Sequence, residues 1–280
     1  MTTALAVPGL AMASPVMVAA GCGGTGPELD ALAPLAGLGA FVTRTVTLDA
    51  RLGGPPPRLA ESPSGFINAI GLQNPGIDQF LARELPWLAA HTVPAVVSVA
   101  GASIGEYAAI TRRLAVAPGV AGVEVNVSVP DGVDLGLFDA SEPFAAARAV
   151  SAVRRELPRG IPVLAKLAPE AGRVAEFARA VAEAGADAVV VGNAVPAVMP
   201  QGRPGGLSGP AIAPLALRCV AAVREAAAEL PVIAAGGVQD TAGARAFLDL
   251  GAVAVQVGTA LLHDPTVAAR IAAELQGETR

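Results

Sequence analysis

Residues 123–132 read VEVNVSVPDG, an apolar run that delivers an asparagine and a serine to its end before a loop opens with proline and aspartate. An amide, a hydroxyl and a carboxylate gathered there could orient a polar ligand and move a proton. Yet the residue between serine and proline is Val129, which can neither take nor give one. A second candidate lies in VLAKLAPE: Lys166 is the only lysine in the chain, beside 18 arginines. A lineage that trades surface lysine for arginine has a reason to keep one where a compact, titratable ammonium is required, although chance survival is the plainer account.

Further amides sit at the ends of other apolar runs. Asn193 closes ADAVVVGN, and SGFINAIGLQNPG (64–76) carries Asn68, Gln73 and Asn74. Asparagine presents a donor and an acceptor side by side, which suits a flat heterocycle with amide edges. Any one of them could instead cap a turn; their gathering at several chain positions of one kind points to a ligand-reading cluster. Two glycine-bearing turns, AAGGVQD with Gly236 and Gly237 and QVGTALL with Gly258 and Thr259, precede helical segments. Such turns let backbone N–H groups approach a phosphate, or simply make tight strand-to-helix corners.

Other chemistries have little support. His91 and His263 lie in or beside helical segments, where a solvated or core role is the default, and no zinc-type spacing occurs, so no metal site is expected. Cys22 and Cys219 are too few for a disulfide framework, and Cys22, at the end of the first apolar run, reads best as a small buried hydrophobe. The serine of GGLSGPAI does not sit in a nucleophile-elbow pattern.

The elements that would position these residues follow from the patterning. Of 280 residues, 53% are hydrophobic and only 3% aromatic, so the core is built from Ala, Val, Leu and Ile. Eight short apolar runs, at 15–21, 39–47, 94–101, 122–128, 162–168, 186–193, 231–237 and 252–259, alternate with Ala/Arg/Glu segments of helical period such as 173–185 and 215–230. That alternation predicts a parallel sheet covered by helices, and eight units predict a (β/α)8 TIM barrel, α/β in class, occupying 1–280 as a single domain. No GxGxxG follows the first run, against a dinucleotide Rossmann fold. The opening LAVPGLAMASP predicts a short N-terminal hairpin that plugs the bottom of the barrel. The long connections 48–75 and 194–209 fall on the face where barrel active sites are assembled. A net charge of −5 without basic blocks argues against nucleic acid and anionic membranes as partners. Mean hydropathy of +0.55 is not concentrated in any run near 20 residues, and no basic leader region opens the chain, so a cytoplasmic protein is expected.

FINAIGLQNPG, ELPWL, VEVNVSVP, LAKLAPE, GGLSGPAIAPLALR, AAGGVQD and AVQVGTALL, in this order, resemble the class 1 dihydroorotate dehydrogenases over nearly the whole chain. NAIGLQNPG looks most like the NAD-linked subclass, whose catalytic subunit passes electrons to a partner carrying FAD and an iron–sulfur cluster. The resemblance implies an enzyme: an FMN-dependent oxidoreductase turning dihydroorotate into orotate in pyrimidine biosynthesis, with hydride leaving substrate C6 for FMN. It implies FMN contacts at Ala20, Gly21, Lys166 and Gly209, and a phosphate site at Gly236, Gly237, Gly258 and Thr259. It implies substrate contacts at Arg44, Asn68, Gly71, Leu72, Asn126, Asp131 and Asn193, a homodimer core, and the electron-transfer subunit as candidate partner.

The chain departs from the family pattern on the substrate side. The position of the family's proton-abstracting cysteine or serine is Val129, its asparagine two residues on is Asp131, and an expected lysine is Arg44. The loop 194–204 is also shorter than the pattern. Asp131 is the candidate substitute base; strand alternation should turn Ser128 away from the face of Val129. The alternative readings are a flavoprotein acting on another dihydro-heterocycle and a non-catalytic FMN-binding paralogue.

Overall fold

A computed structural model describes residues 6–130, 132 and 134–277. In chain order its strands are β1 (Val16–Val18), β2 (Ala40–Val42), β3 (Leu59–Ser62), β4 (Gly65–Asn68), β5 (Ala95–Val99), β6 (Val120–Asn126), β7 (Val163–Leu167), β8 (Ala188–Val191), β9 (Val195–Val198), β10 (Pro204–Ser208), β11 (Val232–Ala235) and β12 (Ala254–Val257). Eight of them, β1, β2, β5, β6, β7, β8, β11 and β12, pair in that order and close into a parallel barrel. Seven lie within the expected apolar runs and β6 starts two residues ahead of its run at 122–128; the expected (β/α)8 barrel is the fold observed.

Strand residues alternate between two destinations. Val16, Val18, Phe41, Val97, Val125 and Leu167 face outward into the main core, against helices such as Ile104–Leu114, Pro143–Glu156 and Val174–Glu183. Met17, Ala40, Val42, Val96, Leu164, Val190 and Ile233 face inward and form a separate apolar cluster at the lower end of the barrel. Nearer the strand C-termini the inward positions turn polar: Ser98, Glu124, Asn126, Lys166 and Gln256 are all buried. Apolar below and polar above, the interior directs chemistry to one end.

The predicted N-terminal hairpin is not present; among the described residues no strand precedes β1. Residues 6–15 instead make a turn in which the Leu10 N–H donates to the Val7 carbonyl at 3.1 Å. Pro8 and Pro15 have no N–H to give to a ladder between the two arms of so short a segment. The segment is held by its side chains, Val7 and Leu10 packing into the inward cluster, so the expected plug exists without the expected ladder.

The two long connections also differ from their reading as loops. They fold into one antiparallel sheet in the order β3-β4-β10-β9, with Leu207 opposite Ile67 and Gly206 opposite Asn68. Pro196 lies in β9, at the sheet's edge, where a missing N–H costs no ladder bond. Between β4 and β5 the helix contains a π segment, Phe80–Glu84, directly before Leu85–Ala89. Pro86 cannot donate to the preceding turn, which gives the local widening a cause. Among the described residues no helix is long and apolar enough to cross a membrane.

Tyr107, on the helix after β5, is 2% exposed and its hydroxyl donates to the Asn126 carbonyl at 3.2 Å, tying a helix to the end of β6. Burial pushes its phenol up to about 12. Because the folded value lies above the unfolded value of about 10, this contribution is full below pH 10 and is lost as pH rises towards 12. Urea titrations from pH 9 to 12 should show roughly 2–3 kcal/mol of stability disappearing through this group. Tyr107→Phe should lose about 0.5–1.5 kcal/mol at pH 8 and show a correspondingly shallower alkaline decline.

Candidate active site

The polar end of the barrel and the antiparallel sheet above it enclose a cavity of about 1080 Å³. Ala20 and Gly21 enter it after β1, Arg44 after β2, Asn126 and Val129 at the end of β6, Lys166 from β7 and Asn193 after β8. Asn68, Gly71 and Leu72 reach it from the sheet and the segment that follows β4, and Gly209 from just past β10. Gly236 and Gly237 after β11, and Gly258 and Thr259 after β12, complete the wall. All of these border one space, whereas Ser128 and Asn74, also singled out from the sequence, do not. Asp131 lies outside the described residues.

The asparagines form a connected set. The Asn193 amide donates to the Ser128 hydroxyl at 3.0 Å, the Ser128 carbonyl at 3.1 Å and Asn126 Oδ1 at 3.3 Å. Asn126 Nδ2 donates to Thr45 Oγ1 at 3.1 Å, and that hydroxyl lies 2.9 Å from Ser98 Oγ. Asn68 donates across the sheet to the Gly206 carbonyl at 3.0 Å; its Oδ1 has no partner among the described hydrogen bonds. Asn74, by contrast, is structural: it accepts from the N–H groups of Thr47 and Gly76 and donates to the Leu72 carbonyl. Gln73 borders the cavity but accepts from Arg58 at 2.7 Å. Ser128 is absent from the cavity wall while Val129 is on it, as strand alternation predicts.

Glycine at the turns serves two purposes. At Gly237, with φ of +75°, a Cβ would lie 2.5 Å from that of Ala213, so the turn needs glycine to sit against the helix Ala213–Ala226. At Gly192, with φ of +125°, a Cβ would lie 1.8 Å from the Ala235 carbonyl oxygen, and glycine alone lets β8 deliver Asn193 beside β11. The packing thus accounts for these glycines without any ligand. Among the described hydrogen bonds, however, the N–H groups of Gly236, Gly237, Gly258 and Thr259 have no backbone acceptor. At Gly21 a Cβ would meet nothing within 4 Å, so the wall there is bare backbone facing open space.

Two residues that motif reading missed lie directly beneath Lys166. Its ammonium donates to Gln256 Oε1 at 2.8 Å, Gln256 Nε2 donates to Glu124 Oε2 at 2.7 Å, and Glu124 Oε1 is 3.4 Å from the ammonium nitrogen. The signal was present in VEVNV: with Asn126 at the mouth, Glu124 two residues earlier must face the same way, into the barrel. Cys22 also borders the cavity; burial pushes its thiol up, and the charge of Lys166 opposes this only in part. Arg44 faces Glu84 at 4.0 Å, and burial raises the Glu84 carboxyl despite that cation. His263 is exposed at the rim, edge-on to Phe66 with ring centroids 6.2 Å apart. Among the described residues no three His, Cys, Asp or Glu side chains converge as a metal site would require.

A parallel eight-stranded barrel with a cavity at its strand C-termini, into which amides and a lysine project, has the architecture of a barrel enzyme. The family model described as dihydroorotate dehydrogenase matches residues 2–278, and the chain belongs to that family. It is 44% identical over 283 residues to the "Dihydroorotate dehydrogenase B (NAD(+)), catalytic subunit" of Desulforudis audaxviator, covering 98% of this chain and 91% of that protein. The protein of the same description from Anoxybacillus flavithermus is 41% identical over 281 residues, 97% and 89% of the two chains. A crystal structure of the Eimeria tenella dihydroorotate dehydrogenase in complex with ferulenol superposes with a TM-score of 0.80 at 20% identity, covering 94% of this chain and 81% of that one. At that identity the likeness is one of fold.

Replacing Lys166 by Met would strand the fully buried Glu124 carboxylate. Urea unfolding at pH 7 should show a loss of roughly 3–5 kcal/mol, and the double variant Lys166→Met, Glu124→Leu should recover most of it.

Proposed function

We propose that this chain is an FMN-dependent dehydrogenase that oxidises dihydroorotate to orotate, in the manner named for its relatives. The observation that carries the reading is the shared cavity, in which the only lysine of the chain, three asparagine amides and four turn N–H groups with no acceptor among the described hydrogen bonds border the same space. The residues present fit FMN. The bare backbone at Gly21 leaves room for a flat ring, and the turn N–H groups of Gly236, Gly237, Gly258 and Thr259 suit its phosphate. Ala20 and Gly209 would flank it, and Lys166 would place a cation against the ring edge. When bound, FMN would supply the two-electron chemistry by accepting a hydride.

The remaining work falls to the protein. Asn68, Asn126 and Asn193 would hold a pyrimidine by its alternating N–H and C=O groups, with Gly71 and Leu72 closing over it and Arg44 offering a cation to a carboxylate. The hydrogen bonds among Asn126, Asn193, Ser128 and Thr45 fix the amide planes before a ligand arrives. The sheet over the mouth would exclude water. Oxidation also releases a proton, and Val129, on the cavity wall, cannot accept it. We assign that role to Asp131. The hydrocarbon surface of Val129 also favours a second reading, in which the same site oxidises a different dihydro-heterocycle.

By its likeness to NAD(+)-linked catalytic subunits, we infer that the chain forms a homodimer core in the cytoplasm and passes electrons to a partner subunit carrying FAD and an iron–sulfur cluster.

The test is an anaerobic half-reaction. The purified chain should bind FMN about one to one, and adding L-dihydroorotate should bleach its visible absorbance. Asp131→Asn should slow that step by roughly 10²- to 10⁴-fold, and Val129→Cys in that background should restore a large part of the rate. Bound FMN that dithionite reduces but dihydroorotate does not would transfer the reading to the second substrate class.

A further inference from the structure

Lys166 has a use in this proposal, but the two side chains bonded to it do not. Resting on the reading of a bound flavin, we infer that Glu124 is a positioning residue. Its carboxylate, with Gln256, fixes the Lys166 ammonium and offsets its charge, thereby setting how strongly the site favours reduced over oxidised FMN.

The arrangement is directional. An ammonium can only donate and a carboxylate only accept, so the Gln256 amide has one orientation that satisfies both. It accepts from Lys166 at 2.8 Å and donates to Glu124 at 2.7 Å. The second carboxylate oxygen, Oε1, is 3.4 Å from the Lys166 nitrogen and has no hydrogen-bond partner among the described residues. Glu124 is 0% exposed, Gln256 1% and Lys166 5%. Of the three ammonium N–H groups, one serves Gln256 and one faces Glu124, which leaves a third for the cavity that Lys166 borders.

Stability gives little reason for this triad. Well-packed hydrocarbon of similar volume commonly serves a core as well as or better than a buried ion pair, and the inward positions one step below Lys166 and Gln256 on their strands, Leu164 and Ala254, are apolar. The arrangement has a consequence at the mouth instead. Reduction by hydride brings two electrons and one proton to a flavin, so the ring gains negative charge, which a nearby cation stabilises. A carboxylate behind that cation weakens its field in the cavity and limits the preference for the reduced form.

The test is the midpoint potential of bound FMN in the holoprotein, measured by equilibration with a reference dye. Glu124→Gln removes the charge and keeps the shape. The ratio of oxidised- to reduced-FMN dissociation constants should rise about tenfold, a shift of about +30 mV for a two-electron couple. Glu124→Asp, one methylene short of Lys166 and gentler on the fold, should shift the potential the same way by less. On a Lys166→Met background, where no cation holds the buried carboxylate in its charged form, Glu124→Gln should change the ratio by less than about twofold, an outcome that a general loosening of the barrel would not produce. An unmoved or lowered potential in Glu124→Gln and Glu124→Asp, or an equal shift without Lys166, overturns the inference while leaving the flavin reading intact. A wild-type chain that binds no FMN removes the flavin reading and this inference together, and that is known before any potential is read.

Discussion

Closure of the parallel barrel is the constraint on which everything else rests. Once β1 pairs with both β2 and β12, every second strand residue is shut inside a space without bulk water, and its chemistry must be answered by its neighbours there. Near the base the answer is hydrocarbon: Met17, Val96, Leu164 and Ile233 fill the interior. One tier higher it is a hydrogen-bonded set, Glu124 to Gln256 to Lys166. Above that come the asparagine amides. Each tier supports the next, so the cavity has a floor with fixed charge as well as fixed shape.

The parts visible in the chain were those governed by short-range periodicity. Eight apolar runs gave eight barrel strands because burial on both faces leaves no polar positions to blur the signal. The mouth residues could be picked out because polar side chains at strand ends interrupt apolar runs. The sheet formed by β3, β4, β9 and β10 was hidden, since its key pairing joins residues such as Ile67 and Leu207, and no local pattern announces a partner so distant in sequence. Pro196, Gly205 and Gly206 disguise those strands further. The expected hairpin shows the limit of a local signal: Pro8 and Gly9 do mark a turn, but a turn does not ensure that its arms pair, and here Val7 and Leu10 are spent on packing instead.

The two halves of the cavity differ in what they keep. Where the ring and phosphate of a flavin would lie, the demands are met by backbone and one lysine, which tolerate much change elsewhere. Where the substrate would lie on the proposed reading, side-chain identity decides, and there Val129 on the cavity wall can accept no proton. On the proposed reading, then, the proton rather than the hydride is the part of the reaction for which the described cavity wall offers no acceptor at Val129.

The sheet over the mouth is one body made from two distant segments. Asn68 bonds to the Gly206 carbonyl, Ala211 to the Ser64 carbonyl, and Arg203 to the Pro55 and Pro57 carbonyls, while Arg51 reaches the Leu135 carbonyl in the loop after β6. Val7 and Leu10 pack into the base of the barrel, and the described segments of its rim are stitched into a collar. Because each segment is bonded to another, displacing one of them breaks hydrogen bonds to its neighbours, and motions at the mouth are coupled around the collar.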